Sequence, residues 1–251
     1  MIPIRDHNPT RSRPIVVPIL IAINALVWFY EVSLQYSADP DALGYFIQVW
    51  GAVPVRLTYG PDALAYLTPI TSMFMHAGWM HVIGNMWFLW VFGDNVEDEL
   101  GKVRFIVFYV ACGLAAVGAQ VAIDPSSQVP MVGASGAIAG VLAGYVMLHP
   151  TARVTTLVPI IFIMFVELPA YIFIFVWFGW QLLAGLGSLG ALGQNTGGTA
   201  FFAHIGGFIA GLALVRMLGP KGGRPPPPRR VHHVPRERVG EWGSDRHRPL
   251  H

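Results

Sequence analysis

The chain has 251 residues, 54% of them hydrophobic and only 12% charged, against about 25% charged in ordinary soluble domains. That deficit excludes a typical soluble enzyme and points to a polytopic membrane protein. The net charge of +2 hides a split: residues 221–251 carry eight Lys or Arg and three Asp or Glu, leaving the rest of the chain slightly acidic.

The first 13 residues hold Arg5, Arg11 and Arg13 and read as a short cytoplasmic segment. The apolar run over 14–34 lacks a small-residue cleavage site behind it, so it reads as a retained first span rather than a removed signal peptide. Residues 35–71 mix Pro40, Pro54, Gly60, Pro61 and Pro69 with Tyr45, Phe46 and Trp50, a composition that predicts an interfacial, partly helical insertion. Further candidate helices lie at 68–92, 103–122, 133–148, 154–184 and 200–218; all but the short 133–148 have the length that crosses a hydrocarbon core about 30 Å thick. The run over 154–184 is long and contains Pro169. It is expected as one long, kinked or partly interfacial helix, because two spans and a turn do not fit and a hairpin would export the basic tail. The tail, 219–251, has four prolines in a row at 225–228 and is expected to be disordered.

The predicted fold class is therefore all-α: a six-transmembrane-helix bundle over 14–218 with an interfacial first loop. With six spans, Arg5, Arg11, Arg13, Lys102, Arg104, Arg153 and Arg216 all fall on the cytoplasmic side and Arg56 alone on the other, as the positive-inside rule requires. Cys112 is the one cysteine, so no intrachain disulfide can form and its expected role is packing.

A polar side chain at membrane depth is costly unless it is paired or lines a wet cavity, which makes each one a functional candidate. Asn24, His76, His81, Asn85, Ser135, Glu167 and His204 qualify; for Asn24 and Glu167, helix-to-helix hydrogen bonding or a kink partner suffices. Gly133-Ala134-Ser135-Gly136 opens the fourth predicted helix. Taken alone, Ser135 could be one more small packing residue, since Gly136, Gly140 and Gly144 follow the small-xxx-small spacing of close helix packing. The last predicted helix carries its own pair, Gly207 and Gly211, together with His204. Two glycine-faced helices approach closely enough for a histidine on one to reach a serine on the other, which would supply a nucleophile and its base. His81 and Asn85 are four apart and share a helical face, where they could hold an oxyanion beside the backbone N–H of Ser135. A zinc site is the rival, but His76 and His81 are five apart with no Glu between them, against the spacing of the metalloprotease helix. With an inside N-terminus, His81, Ser135 and His204 all fall near the outer ends of their helices.

At these residues the chain resembles the rhomboid family of intramembrane serine proteases, in its six-helix bacterial form. The resemblance rests on His76 and His81 with Asn85, on Gly133-Ala134-Ser135-Gly136, and on Ala203-His204 followed by Gly207. It implies Ser135 as nucleophile, His204 as general base, His81 and Asn85 in the oxyanion hole, and His76 as a structural hydrogen-bonding residue. It further implies cleavage of single-span membrane proteins in or beside the transmembrane helix, without metal or cofactor and with the lipid bilayer as the other partner. The membrane expected is the bacterial inner membrane; nothing points to nucleic acid. The first loop departs from the pattern, lacking the Trp-Arg pair of some members. By the same resemblance Phe173, Trp177, Trp180 and the loop over 185–198 act as gate and cap, although bulky aromatics near a helix end also serve as interfacial anchors. The alternatives are a catalytically silent relative that binds transmembrane helices, and a channel or transporter lined by the same polar groups.

Overall fold

The computed structural model describes residues 1–159, 163–188 and 200–219. In chain order these form strand β1 (Ile2–Asp6), helix α1 (Val16–Gln35), the short helices α2 (Ala42–Trp50), α3 (Pro54–Thr58) and α4 (Thr68–Thr71), and the long helices α5 (Trp79–Leu100), α6 (Lys102–Ile123) and α7 (Ser135–Leu148). Strands β2 (Arg153–Pro159) and β3 (Ile163–Pro169) follow, then helices α8 (Ala170–Ser188) and α9 (Phe201–Leu218). By length and composition α1, α6, α8 and α9 can each cross a membrane. Helix α7 is shorter, at 14 residues, and α5 ends in Asp94, Glu97, Asp98 and Glu99.

Three expectations are corrected. The fold is not all-α: residues expected in one helix over 154–184 divide into an antiparallel hairpin, β2 on β3, with β1 added on the far side of β2. The β-branched run Val154-Thr155-Thr156 favours a strand over a helix, and Pro169 closes the hairpin immediately before α8 begins. Glu167 is consequently exposed on β3, 3.5 Å from the Arg153 guanidinium, rather than bonded between helices. The second predicted helix starts at Trp79 rather than 68, because 68–74 forms the separate short helix α4 and a 3₁₀ turn behind it, and it runs on to Leu100. The insertion over 35–71 is partly helical as expected; the tail beyond 219 and most of the 185–198 loop lie outside the described residues.

The acidic end of α5 anchors the N-terminal segment. The Glu97 carboxylate accepts the backbone N–H groups of Ile15, Val16 and Val17 at 2.7–3.0 Å, placing a negative charge where the first turn of α1 has unpaired donors. Asp98 accepts those of Arg11 and Ser12, and the Trp87 indole donates to the Pro3 carbonyl. Asp6, at the end of β1, accepts from the Tyr145 hydroxyl of α7 at 2.7 Å and from Asn95 at 2.9 Å. Burial, aided by the nearby Asp94 carboxylate, pushes the Asp6 carboxyl up to about 6 from an ordinary 3.8. The sheet, the start of α1 and the ends of α5 and α7 thus gather at one end of the bundle.

Helix α7 is the axis of the packing: every residue over 136–146 is buried. Its glycines explain why. A Cβ on Gly207 of α9 would come 2.9 Å from the Gly136 carbonyl carbon, and one on Gly211 would come 2.6 Å from the Gly140 Cα, so the α7 and α9 backbones touch directly. Cys112 of α6 packs against Gly140, the structural role expected of it.

Candidate active site

The end of the bundle opposite the sheet collects the first turns of three helices. His81 is the third residue of α5, Ser135 the first of α7 and His204 the fourth of α9. The glycine contact between α7 and α9 lies one turn below, and the result is direct: His204 Nε2 stands 2.8 Å from Ser135 Oγ. His204 is buried and Ser135 half-buried. The other ring nitrogen, Nδ1, is 2.8 Å from the Gln181 Oε1 of α8. An amide oxygen only accepts, so Nδ1 carries the proton and Nε2 presents its lone pair to the serine hydroxyl. Trp177, one turn before Gln181, lays its ring near the imidazole, with centroids 6.1 Å apart.

The segment before Ser135 is fixed by the first loop. Met131 and Ala52 exchange backbone hydrogen bonds at 2.9 and 3.1 Å, and the Gly133 N–H donates to the Ser72 carbonyl at 2.8 Å. Arg56 braces that loop internally, donating to both Asp62 carboxylate oxygens at 3.0 Å and to the Val49 carbonyl at 2.9 Å. Gly133 adopts φ +127°, a conformation that favours glycine, and a Cβ there would come 2.8 Å from His81 Nε2 and 3.6 Å from Asn85 Nδ2. Both predicted oxyanion donors therefore converge on the backbone two residues before the serine. The Ala77 N–H points at His81 Nδ1, 3.4 Å away, which leaves Nε2 as the nitrogen with the proton. Asn85 Nδ2 is buried with no hydrogen-bond partner among the described residues. The Ser135 N–H, at the first position of a helix, has no intrahelical acceptor either.

His76, expected as a structural hydrogen-bonding residue, has both ring nitrogens buried without a hydrogen-bond partner among the described residues. Its ring packs edge-on against His81, centroids 5.1 Å apart, and its backbone N–H donates to the buried Glu31 carboxylate of α1 at 3.1 Å. Asn24 bonds within its own helix, to the Leu20 carbonyl. Phe173 is core rather than gate: it is 1% exposed and stacks on Phe92 at 5.8 Å. Trp180 is exposed. Sequence reasoning passes over Gln181 and Glu31, although each is a polar side chain inside an apolar run and meets the criterion that singled out His81 and Asn85.

A cavity of about 40 Å³ borders Ser135, Gly133, Ser72 and Ala203, room for a few waters. A larger one, about 170 Å³, lies at the sheet end beside Asp6 and Trp90 and contains no nucleophile. Among the described residues no cluster of His, Cys, Asp or Glu has the makings of a metal site.

Comparison with known proteins places the chain in a family. The Rhomboid domain family matches residues 64–221, a stretch holding His76, His81, Asn85, Ser135, Gln181 and His204. The chain belongs to the rhomboid family. It is 28% identical to Rhomboid-like protein 11, chloroplastic, of Arabidopsis thaliana over 78% of this chain and 65% of the relative. It is 29% identical to rhomboid protease GluP of Bacillus subtilis over 84% of this chain and 36% of the relative. To the putative rhomboid protease YdcA of the same organism it is 26% identical, over 53% and 62%. The chain thus covers 65% or less of the length of each of these relatives. With its apolar helices, this rhomboid chain is a polytopic helical membrane protein.

Proposed function

We infer that this rhomboid chain is an intramembrane serine endopeptidase that cleaves within or beside the transmembrane segments of single-span membrane proteins. One observation carries the reading: the 2.8 Å contact between Ser135 Oγ and His204 Nε2, with the imidazole in the tautomer that accepts the hydroxyl proton. In the reaction, Ser135 Oγ attacks the scissile carbonyl while His204 takes its proton. The tetrahedral oxyanion is held by Asn85 Nδ2, His81 Nε2–H and the Ser135 N–H. His204 then protonates the leaving amine, and the acyl-enzyme is hydrolysed by a water that His204 deprotonates. Gly133 and Gly136 are the small residues that allow this approach, and His76 supports His81 through their ring contact. No cofactor enters the scheme.

The reading includes six spans, α1 and α5 to α9, with residues 1–13 and the tail over 219–251 on the cytoplasmic side of a bacterial inner membrane. Helix α7, with 14 residues, is about 21 Å long against a core of about 30 Å. Anchored at the sheet end, it leaves Ser135 recessed beneath the opposite surface, where the reaction needs the cavity beside it for water.

The test is labelling of the detergent-solubilised protein by a fluorophosphonate probe. Wild type is expected to label, and Ser135→Ala and His204→Ala to lose labelling. A folded wild type that does not label, or a Ser135→Ala variant that labels equally, overturns the reading in favour of a helix-binding relative.

A further inference from the structure

Gln181 stands out among the groups around Ser135 because the nucleophile and base do not require it. It is 8% exposed on a helix whose outward side carries Trp180, Leu182, Leu183 and Leu186, and a buried amide is costly unless hydrogen-bonded. Its oxygen is spent on His204 Nδ1, 2.8 Å away, and Trp177 on the same face of α8 flanks the same ring. The imidazole is therefore held from two directions, by Ser135 on one nitrogen and by α8 on the other.

A neutral histidine carries one ring proton, and which nitrogen bears it is set by the bond the other nitrogen makes. With an acceptor at Nδ1, the Nε2 lone pair faces Ser135. Without one, the Nε2–H tautomer can donate to the serine oxygen and leaves no base. An amide does this without adding a buried negative charge, which would be expensive to keep in a lipid-enclosed site. We propose that Gln181 is a positioning residue that fixes the tautomer and orientation of His204, the neutral counterpart of the acidic third member of soluble serine protease triads. The proposal rests on the peptidase reading above. It gives α8 a role that the dyad alone does not: the helix carries the group that keeps the base competent.

Among the described residues the neighbours of His204 are few. His81 of α5 is the titratable group that acts on it, Ser135 comes from α7, and Gln181 and Trp177 from α8. Helix α6 meets α9 there through Ala115, Ala116 and Ala119 against Gly206. His81 is present in every variant below, so its influence cancels in the comparison.

The experiment is the pH dependence of the second-order rate constant for fluorophosphonate labelling, on the monodisperse fraction of wild type, Gln181→Leu and Gln181→Glu, with Ser135→Ala as the blank. Gln181→Leu keeps the size and removes the acceptor, and its rate is expected to fall by about 10- to 100-fold. Gln181→Glu keeps the acceptor and adds a charge that favours the imidazolium. It is expected to retain labelling at high pH while its acid limb moves up by about one pH unit or more. An amide that only packs predicts an unchanged rate for Gln181→Leu and no recovery by Gln181→Glu at high pH, whereas the shift of the acid limb reports that the position faces the imidazole. Should the leucine variant fail to fold, Gln181→Met, of similar length and without the amide oxygen, takes its place. A labelled wild type with variants of unchanged rate and profile overturns the positioning role and leaves the peptidase intact; an unlabelled wild type overturns the peptidase reading itself.

Discussion

Among the described glycines, the one where an added Cβ would meet its neighbour most closely lies one turn from the candidate dyad, so the sharpest perturbation is a single methyl group. Gly207→Ala puts a Cβ 2.9 Å from the carbonyl carbon of Gly136, 3.4 Å from its Cα and hard against its oxygen. Those neighbours are backbone in the first turn of α7, so they cannot rotate away. Restoring ordinary contact, about 3.5 to 4 Å between carbons, requires α7 and α9 to part by roughly 1 Å. His204 lies three residues before Gly207, on the same face of α9, and Ser135 precedes Gly136. The same displacement stretches their 2.8 Å contact to about 3.8 Å, beyond hydrogen-bond reach. A misplacement of that size costs about 10²-fold or more in rate. The assay is fluorophosphonate labelling of monodisperse protein in detergent, with Gly118→Ala as control, since a Cβ at Gly118 meets nothing within 4 Å. We expect the control to label at the wild-type rate and Gly207→Ala at a hundredth of it or less. Wild-type labelling by Gly207→Ala would refute the claim that direct backbone contact between these helices sets the position of the base.

Two further outcomes test other parts of the structure. Asn85→Ala is expected to lower kcat by about 10² to 10³, the size seen for one oxyanion donor, while Ser135→Ala lowers it further; equal losses in two folded variants would mean that Asn85 does more than donate one hydrogen bond. Asp6, with its carboxyl raised to about 6 by burial, holds its proton more tightly folded than unfolded. Stability should therefore decline as pH rises from about 4 to 6, by up to about 3 kcal/mol. Asp6→Asn should flatten that decline in thermal unfolding followed between pH 4 and 7.5, and a slope of the same size in the variant would assign the effect elsewhere.

Much of the candidate site was legible because its residues are of kinds that membrane depth makes expensive. His81, Asn85, Ser135 and His204 stand out from apolar surroundings, and alternation of the helices puts all of them at one end. The glycine pairs on α7 and α9 announced close packing before any distance was known. The hairpin was not legible in the same way. Val154-Thr155-Thr156 leans towards a strand, but the apolar residues that follow serve a buried helix or a strand equally well, and β1, an N-terminal segment more than 140 residues away, pairs with β2.

The apolar runs, the breakers between them and the costly polar residues follow from the free energy of side chains in lipid, which is a property of the sequence alone. Tertiary structure decided the rest: which nitrogen of His204 faces the serine, that Gln181 supplies its other partner, that Phe173 is core, and that Glu97 and Asp98 anchor the start of the chain. Each depends on contact between residues distant in sequence. Hydrogen bonds form within about 3 Å, a length that periodicity and composition do not encode and that only the packed helices set.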